Sequence, residues 1–254
     1  MRLSYDEAGR GECVVLIHGH PFDRALWEPQ LAALRGSFLV LAPDLRGFGR
    51  SPVTPGCVLM REYAADIEEL LAARGITRAA VVGLSMGGLV AMELAAAAPE
   101  RYWALGLIAT TMQPPSPQDC EVRDERAGAI ERDGMHVLLD YMQTGLYSPA
   151  CPPAIRARVD AMMAAAPPAG AAAGLRGRGR RPDYRPLLAA LDIPALVVAG
   201  TADPWSDAVV TAEIVAHLRR PELVTIEGAG HLPNLEAEAE FNEALLAFLG
   251  RHAP

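Results

Sequence analysis

The sequence predicts an α/β protein with a mostly parallel central sheet, covered by helices on both faces and interrupted by one helical insertion. Short apolar runs alternate with segments of helical periodicity through the first 111 residues, and this alternation is typical of a parallel sheet built from crossover units. The rhythm stops at about residue 112 and resumes at about residue 187. We therefore predict a core domain of residues 1–111 and 187–254, with residues 112–186 as a helical cap.

The predicted strands are short runs of apolar and β-branched residues. Most are apolar throughout, as expected for strands of a parallel sheet that is covered on both faces. They span residues 14–17, 38–42, 79–83, 105–109, 194–199 and 223–226. Only one short strand-like segment, residues 2–8, precedes them.

The insertion at residues 112–186 contains no candidate for a parallel strand. Its three stretches at 121–132, 135–146 and 155–166 are predicted as helices, because so long a loop inside a compact domain is rarely unstructured. Four arginines spaced by glycines follow: Arg176, Arg178, Arg180 and Arg181. In an acidic chain without interleaved aromatic residues, we interpret them as a solvated loop rather than an anion or RNA site.

The composition excludes several classes of function. A formal net charge of −8 argues against non-specific binding to nucleic acid, which requires a basic surface. The four cysteines are scattered without a C-x-x-C pair, and the sequence shows neither a secretory signal nor an apolar run of membrane-spanning length. We therefore expect a cytoplasmic protein with reduced thiols and no membrane contact. The His, Cys and acidic residues lack metal-ligand spacing, so no metal and no cofactor are predicted.

The pentapeptide Gly83-Leu84-Ser85-Met86-Gly87 lies between a predicted strand and a predicted helix. In a G-x-S-x-G nucleophile elbow, the serine occupies a strained turn between these elements, and the two glycines leave room for it. The pentapeptide alone is equally compatible with an ordinary turn. The rest of the chain must distinguish the two interpretations.

An acid and a base follow two later strands. Asp203 comes after the strand at 194–199, and His231 comes after the strand at 223–226. An Asp before a Pro is by itself more typical of a turn, but the carboxyl ends of parallel strands converge at one edge of a sheet. His231 is therefore the candidate base that takes the proton of Ser85, and Asp203 the acid that orients its imidazole.

Five motifs in this order resemble the α/β-hydrolase family, in its serine-nucleophile branch. They are His18-Gly19-His20-Pro21, Asp44-Leu45-Arg46-Gly47-Phe48-Gly49-Arg50-Ser51, Gly83-Leu84-Ser85-Met86-Gly87-Gly88, Gly200-Thr201-Ala202-Asp203 and Gly228-Ala229-Gly230-His231. The resemblance covers essentially the whole chain. It implies the α/β-hydrolase fold, a lid at the position of the insertion, and an oxyanion hole formed by the backbone amides of His20 and Met86.

The serine at the elbow narrows the chemistry that the resemblance implies. Relatives that dehalogenate or open epoxides carry an aspartate there, so Ser85 favours acyl transfer to water through an acyl-enzyme. The segment from Gly230 to Glu236 is similar to enol-lactonases and small carboxylesterases, which predicts a small-molecule ester or lactone as substrate. A carbon–carbon bond hydrolase of the β-diketone type uses the same three residues and stays open. So does a perhydrolase side activity. From a different class, a ligand-sensing protein with slow or no turnover stays open as well.

The sequence also suggests which side chains contact the substrate. Apolar residues of the insertion and of the loops beside the predicted nucleophile are the candidates for an apolar pocket. The predicted substrate-binding residues are Trp27, Leu84, Leu138, Tyr141, Met142 and Leu232. Met86 is expected to join Leu84 in the pocket floor, whereas His18 is expected to support the loop beneath the site.

Overall fold

The computed structural model describes the whole chain, Met1–Pro254, and its centre is one seven-stranded sheet. The strands are β1 (Tyr5–Gly9), β2 (Cys13–Ile17), β3 (Leu39–Pro43), β4 (Ala79–Leu84), β5 (Tyr102–Ile108), β6 (Ala195–Gly200) and β7 (Pro221–Ile226). Their order across the sheet is β1-β3-β2-β4-β5-β6-β7. Every neighbouring pair is parallel except β1 and β3, which are antiparallel.

The burial of the strands follows their place in the sheet. Every residue of β2, β4, β5 and β6 is buried, as their uninterrupted apolar sequences predict. The two edge strands, β1 and β7, are mostly exposed or half-buried. The segment predicted at 2–8 thus overlaps β1, a short antiparallel strand that covers one edge of the parallel sheet.

Eleven α-helices connect and cover the strands. They are α1 (Glu28–Leu34), α2 (Met60–Ala73), α3 (Met86–Ala97), α4 (Pro117–Asp133), α5 (His136–Met142), α6 (Pro153–Ala165), α7 (Pro168–Arg178), α8 (Arg185–Ala190), α9 (Ala208–His217), α10 (Pro233–Glu236) and α11 (Glu238–His252). Around the sheet, α1 packs on α11, α2 packs on α3, and α8 packs on α9. None of the helices combines the length and apolarity needed to span a bilayer.

Five helices, α4 to α8, lie between β5 and β6, and the first four of them fall within residues 112–186. Helix α4 packs against α7 and α5, and α5 contacts α6. The interpretation of Arg176, Arg178, Arg180 and Arg181 as a solvated loop is wrong in part, because α7 extends to Arg178 and packs along α4. The helix begins at Pro168, where the missing amide hydrogen costs nothing, and its small Ala and Gly residues allow close packing.

Candidate active site

Ser85 occupies the turn that joins β4 to α3. Its backbone has φ 54° and ψ −112°, a conformation that costs a non-glycine residue energy and persists only where the surroundings enforce it. Two hydrogen bonds hold it there: the Ser85 amide donates to the carbonyl of Ile108 over 2.8 Å, and the Thr110 hydroxyl donates to the Ser85 carbonyl over 2.8 Å. The predicted strained elbow is thus present at the end of a central strand.

The glycines of the elbow are required by close backbone contacts. A Cβ on Gly83 would lie 2.1 Å from the carbonyl oxygen of Gly87, and a Cβ on Gly87 would lie 2.1 Å from that of Ile17. Real side chains do not approach backbone atoms so closely. Helix α3 therefore starts directly against β2 and β4, which lifts Ser85 above the sheet.

His231 and Asp203 lie in contact after β7 and β6. The imidazole Nδ1 of His231 donates a hydrogen bond to Asp203 Oδ2 over 2.8 Å, and both residues are buried. This contact assigns the proton to Nδ1 and leaves Nε2 as the basic nitrogen. The backbone amide of His231 donates to the carbonyl of Leu146, over 3.1 Å, which ties its loop to the segment after α5.

The surroundings of Asp203 keep its carboxylate ionised. Burial alone would raise the pKa of Asp203, but the charge and hydrogen bond of His231, the hydroxyl of Ser206 and the amide of Trp205 together lower it below its ordinary value. The Trp205 amide donates to Oδ1 over 2.9 Å, and the Ser206 hydroxyl donates to Oδ2. An ionised Asp203 can orient His231 and stabilise its protonated form.

His20 follows β2, and its ring reaches the insertion. The ring Nε2 lies 2.7 Å from the carbonyl oxygen of Ala171 in α7 and donates to it, whereas the buried Nδ1 has no partner. Burial, assisted by Arg178, lowers the pKa of His20 to about 3, so the ring is neutral. The backbone amides of His20 and Met86 donate to no acceptor in the protein, although both residues are almost fully buried. Unpaired buried amides are rare and call for a ligand or a functional reason.

His18 supports the loop beneath this site. Its ring is fully buried, its Nδ1 donates to the carbonyl of Gly19 over 2.8 Å, and its Nε2 accepts from the amide of Leu45 over 2.9 Å. Both ring nitrogens are thus occupied by backbone groups. This arrangement links the loop after β2 to the loop after β3.

Ser85, His231 and His20 line one cavity of about 410 Å³. Three predicted substrate-binding residues of the insertion line it as well: Leu138, Tyr141 and Met142. The cavity therefore lies between the carboxyl ends of the strands and the inserted helices.

The structure does not place Trp27, Leu84 or Leu232 on this cavity, and these three predictions are corrected. All are fully buried. Trp27 packs on Phe241 of α11, with ring centroids 6.3 Å apart. Leu84 is the last residue of β4, so its side chain belongs to the core on one face of the sheet. Met86 is also fully buried and absent from the cavity wall, so it is not the pocket floor.

Other cavity residues were missed at the level of sequence. Trp205 packs edge-on against the His231 ring, with centroids 4.9 Å apart, and stacks on Tyr141. Four arginines also line the cavity: Arg123, Arg126, Arg178 and Arg181. The sequence carried no signal for them, because Arg181 lies beyond the end of α7 and the intervening glycines suggested a loop.

No group of three or more His, Cys, Asp or Glu side chains is arranged to hold a metal ion. The polar groups at the cavity that could act in chemistry are the hydroxyl of Ser85, the imidazole of His231 with its carboxylate partner, and the arginines. Such a set suits nucleophilic attack on a carbonyl group.

Comparisons with known proteins agree with this arrangement. The model of the alpha/beta hydrolase family matches residues 14–244, and the chain belongs to this family. The predicted family, the predicted fold and the predicted class, a hydrolase, are thereby confirmed. Among solved structures, an esterase from Thermogutta terrifontis with malate bound superposes with a TM-score of 0.97 at 34% identity, covering 99% of this chain and 94% of that one.

Two curated relatives resemble the chain along most of its length. The 3-oxoadipate enol-lactonase 1 of Acinetobacter baylyi is 27% identical over 230 residues, which cover 89% of this chain and 84% of the relative. RutD of Variovorax paradoxus, to which carbamate hydrolysis is attributed, is 30% identical over 263 residues, covering 99% of this chain and 97% of the relative.

Proposed function

We propose that the protein is a serine hydrolase that cleaves a carboxylic ester or lactone through an acyl-enzyme. One observation carries the proposal: His231, which is hydrogen-bonded to Asp203, lines the same cavity as the strained Ser85. The similarity to an esterase and to a lactonase supports cleavage of the same type of bond.

In the proposed reaction, Ser85 Oγ attacks the ester carbonyl carbon while Nε2 of His231 takes the hydroxyl proton. The amides of His20 and Met86 stabilise the negative oxygen of the tetrahedral intermediate. His231 then protonates the leaving alkoxide, and the acyl group stays on Ser85. Water, deprotonated by His231, attacks the acyl carbon. The bond from this carbon to Ser85 Oγ then breaks, His231 returns the proton to Oγ, and the carboxylic acid is released. Asp203 stabilises the imidazolium in both steps.

The inserted helices cover the active site in this proposal. Residues 112–186 act as a cap that closes the cavity over Ser85 and supplies the contacts of Leu138 and Met142 with the acyl or alcohol group. Water exclusion by such a cap strengthens the electrostatic interactions at the reacting carbonyl. The substrate is accordingly small, since the cavity measures about 410 Å³.

Hydrolysis of p-nitrophenyl butyrate tests the reaction. Ser85→Ala is expected to lower kcat/KM by roughly 10⁴-fold or more, because it removes the nucleophile. Ser37→Ala, at an exposed serine of the loop before β3, is the matched control and should leave the rate unchanged. Equal rates for wild type and Ser85→Ala would refute the enzyme proposal and favour a ligand sensor.

Covalent labelling tests the roles of the individual residues. A fluorophosphonate should modify Ser85 alone, and His231→Ala should suppress the modification because the hydroxyl is no longer activated. The labelled peptide is identified by mass spectrometry. A label on another residue would contradict the assignment.

A carbamate is a second candidate substrate, favoured by the similarity to RutD. An aryl ester and an aryl carbamate with the same phenol leaving group differ only in the acyl part. The higher kcat/KM identifies the preferred class. We expect the ester to be preferred, since esterase and lactonase relatives also match the chain at nearly full length.

A further inference from the structure

One wall of the cavity is positively charged in an otherwise acidic protein. Arg123 and Arg126 of α4, Arg178 at the end of α7, and Arg181 just beyond it form this arginine wall. The only carboxylate beside them in the cavity lining is Asp119. The chain as a whole carries a formal charge of −8, so the excess of cations is a local feature of this cavity.

The arginines of the wall differ from their neighbours in sequence. Arg176 forms a bidentate ion pair with Glu131, with both hydrogen bonds at 2.7 Å. Arg180 forms a bidentate ion pair with Asp124, with both hydrogen bonds at 3.0 Å. The Arg178 guanidinium, between them, makes no hydrogen bond and no ion pair in the protein, and its Nε is fully buried without a partner. Arg176 and Arg180 thus link α7 and the residues after it to α4, whereas the guanidinium of Arg178 has no partner in the protein.

Asp119 neutralises the wall only in part: it forms an ion pair with Arg123 and none with Arg178. Its carboxylate accepts hydrogen bonds from the hydroxyl and amide of Ser116, at 2.8 and 3.1 Å, in a capping box at the start of α4. The nearest arginine nitrogen, on Arg123, stands 3.9 Å away. Asp119 is therefore committed to the helix terminus, and Arg178 keeps its charge uncompensated.

The remaining two arginines are held in place without a counter-ion. Arg126 lies over the ring of Tyr141, 3.5 Å from its centroid, and Tyr141 stacks on Trp205, which contacts His231. Arg181 donates to the carbonyls of Gln113 and Arg178, over 2.8 and 3.0 Å. These contacts position both guanidinium groups at the cavity. Through Tyr141 and Trp205, they also connect Arg126 to the ring of His231, the proposed base.

Arg178 is half-buried with its Nε fully enclosed, and an unpaired cation in such a position is unfavourable without a ligand. Burial, with the nearby charges of Arg123 and Arg181, lowers the pKa of Arg178 to about 9, and burial lowers that of Arg181 to about 10. A buried charge normally persists only when it is paired and hydrogen-bonded. A bound anion would provide both, and a planar guanidinium matches the two oxygens of a carboxylate.

We propose that the arginine wall binds a carboxylate group of the substrate, with Arg178 as the main contact and Arg126 and Arg181 beside it. The preferred substrates are then small esters or lactones that carry a free carboxylate, such as half-esters of dicarboxylic acids. This inference rests on the proposed function, because Ser85 must attack the ester at the other end of the same molecule. Leu138 and Met142 line the same cavity and suit a short methylene chain between the two groups.

A matched pair of substrates tests the proposal. Monomethyl glutarate and its terminal amide have the same ester and nearly the same shape, but only the first is an anion. Wild type should show kcat/KM at least about tenfold higher for the anion, which is the effect of a hydrogen-bonded charge pair. Arg178→Gln should bring the ratio of the two values close to one, and Arg178→Lys should retain part of it.

The neighbouring arginine provides the control. Arg176→Gln removes an equal charge from the same helix, at an outward position paired with Glu131, and should leave the ratio at its wild-type value. A wild-type ratio near one, or an equal fall of the ratio in both Gln variants, would overturn the proposal.

A binding measurement separates the failure of the anion site from the failure of the proposed reaction. Glutarate is titrated by calorimetry into the Ser85→Ala protein with and without Arg178→Gln. Binding that depends on Arg178 supports the site even if no ester is hydrolysed, whereas hydrolysis without such binding leaves the reaction standing and overturns the site. Tighter binding of inorganic phosphate than of glutarate would overturn the assignment to carboxylates.

Discussion

His20 shows at the scale of one residue how a side chain can serve a site by staying neutral. Its ring is buried beside Arg178, and Nε2 donates to Ala171 in the insertion. A protonated ring would place a second unpaired cation next to the arginine wall. The low pKa of His20 therefore follows from its position, and it links the stability of the protein to pH.

Acidification affects His20 differently in the unfolded and in the folded chain. In the unfolded chain the imidazole takes up a proton below its ordinary pKa of 6.5, whereas in the folded protein it stays neutral down to about pH 3. Between these values the unfolded state binds more protons, so His20 makes the protein less stable as the pH falls through 6.5. At pH 8 the ring is neutral in both states and the effect is absent.

We predict that His20→Gln weakens the fall of stability on acidification. Gln can still donate to Ala171 but cannot be protonated. Between pH 6 and pH 4, the unfolding free energy of the variant relative to that of wild type should rise by up to about 1.4 kcal/mol for each pH unit of acidification. Urea unfolding at pH 8, 6, 5 and 4 measures it. A difference that does not change with pH would contradict the neutral ring.

At the scale of an element, the junction of β4 and α3 depends on contacts between backbones. Gly83 and Gly87 are not needed for a positive φ; they are needed because neighbouring carbonyl oxygens occupy the space of a Cβ. The strained residue is Ser85 itself. The strand, the helix and the serine thus form one rigid unit, in which the position of the hydroxyl is set by the packing of the helix start.

Gly87→Ala is predicted to destabilise the protein by about 1–3 kcal/mol, since its Cβ would meet the carbonyl oxygen of Ile17 and force α3 to shift. The comparison is Gly250→Ala in α11, where nothing lies within 4 Å of the new Cβ. That substitution should stabilise by about 0.5–1 kcal/mol, because Ala favours a helix over Gly. Urea unfolding measures both. Equal effects of the two substitutions would refute the packing argument.

At the scale of the whole molecule, α7 holds the inserted helices to the rest of the chain. A Cβ on Gly170 would lie 1.9 Å from the carbonyl oxygen of Gly47, and one on Gly177 would lie 1.7 Å from that of Val58. The amide of Val58 also donates to the carbonyl of Ala173, over 3.1 Å. The backbone contacts of α7 with Gly47 and Val58 therefore determine the position of Arg178.

We predict that Gly177→Ala displaces α7 and lowers both the thermal midpoint and kcat/KM for the anionic ester, because the arginine wall moves with the helix. In the control, Gly128→Ala in α4, the new Cβ meets only the flexible end of Arg132, at 3.3 Å. It should leave kcat/KM unchanged and raise the thermal midpoint slightly, because Ala favours a helix over Gly. Thermal unfolding and the kinetics of monomethyl glutarate provide the measurements, and an unaltered midpoint for Gly177→Ala would refute the contact.

The sequence was sufficient for the positions of the strands along the chain and for the candidate residues at their ends. Buried parallel strands are recognisable as short apolar runs, and the elbow around Ser85 has a pattern that reflects local geometry. Asp203 and His231 could be named because residues at the carboxyl ends of parallel strands converge whatever the loops do. All these features depend on interactions close in sequence or on the general geometry of a sheet.

Only the tertiary structure decided which side chains surround Ser85. Trp27 and Leu232 are apolar and near the motifs, yet they pack in the core, whereas Trp205 and Arg178 reach the cavity. These outcomes depend on how α7 meets the loops after β3 and how α4 packs on α7, which are contacts between distant segments. An apolar residue or an arginine has the same local pattern whether it faces the core, the solvent or a cavity, so its place is fixed by packing alone.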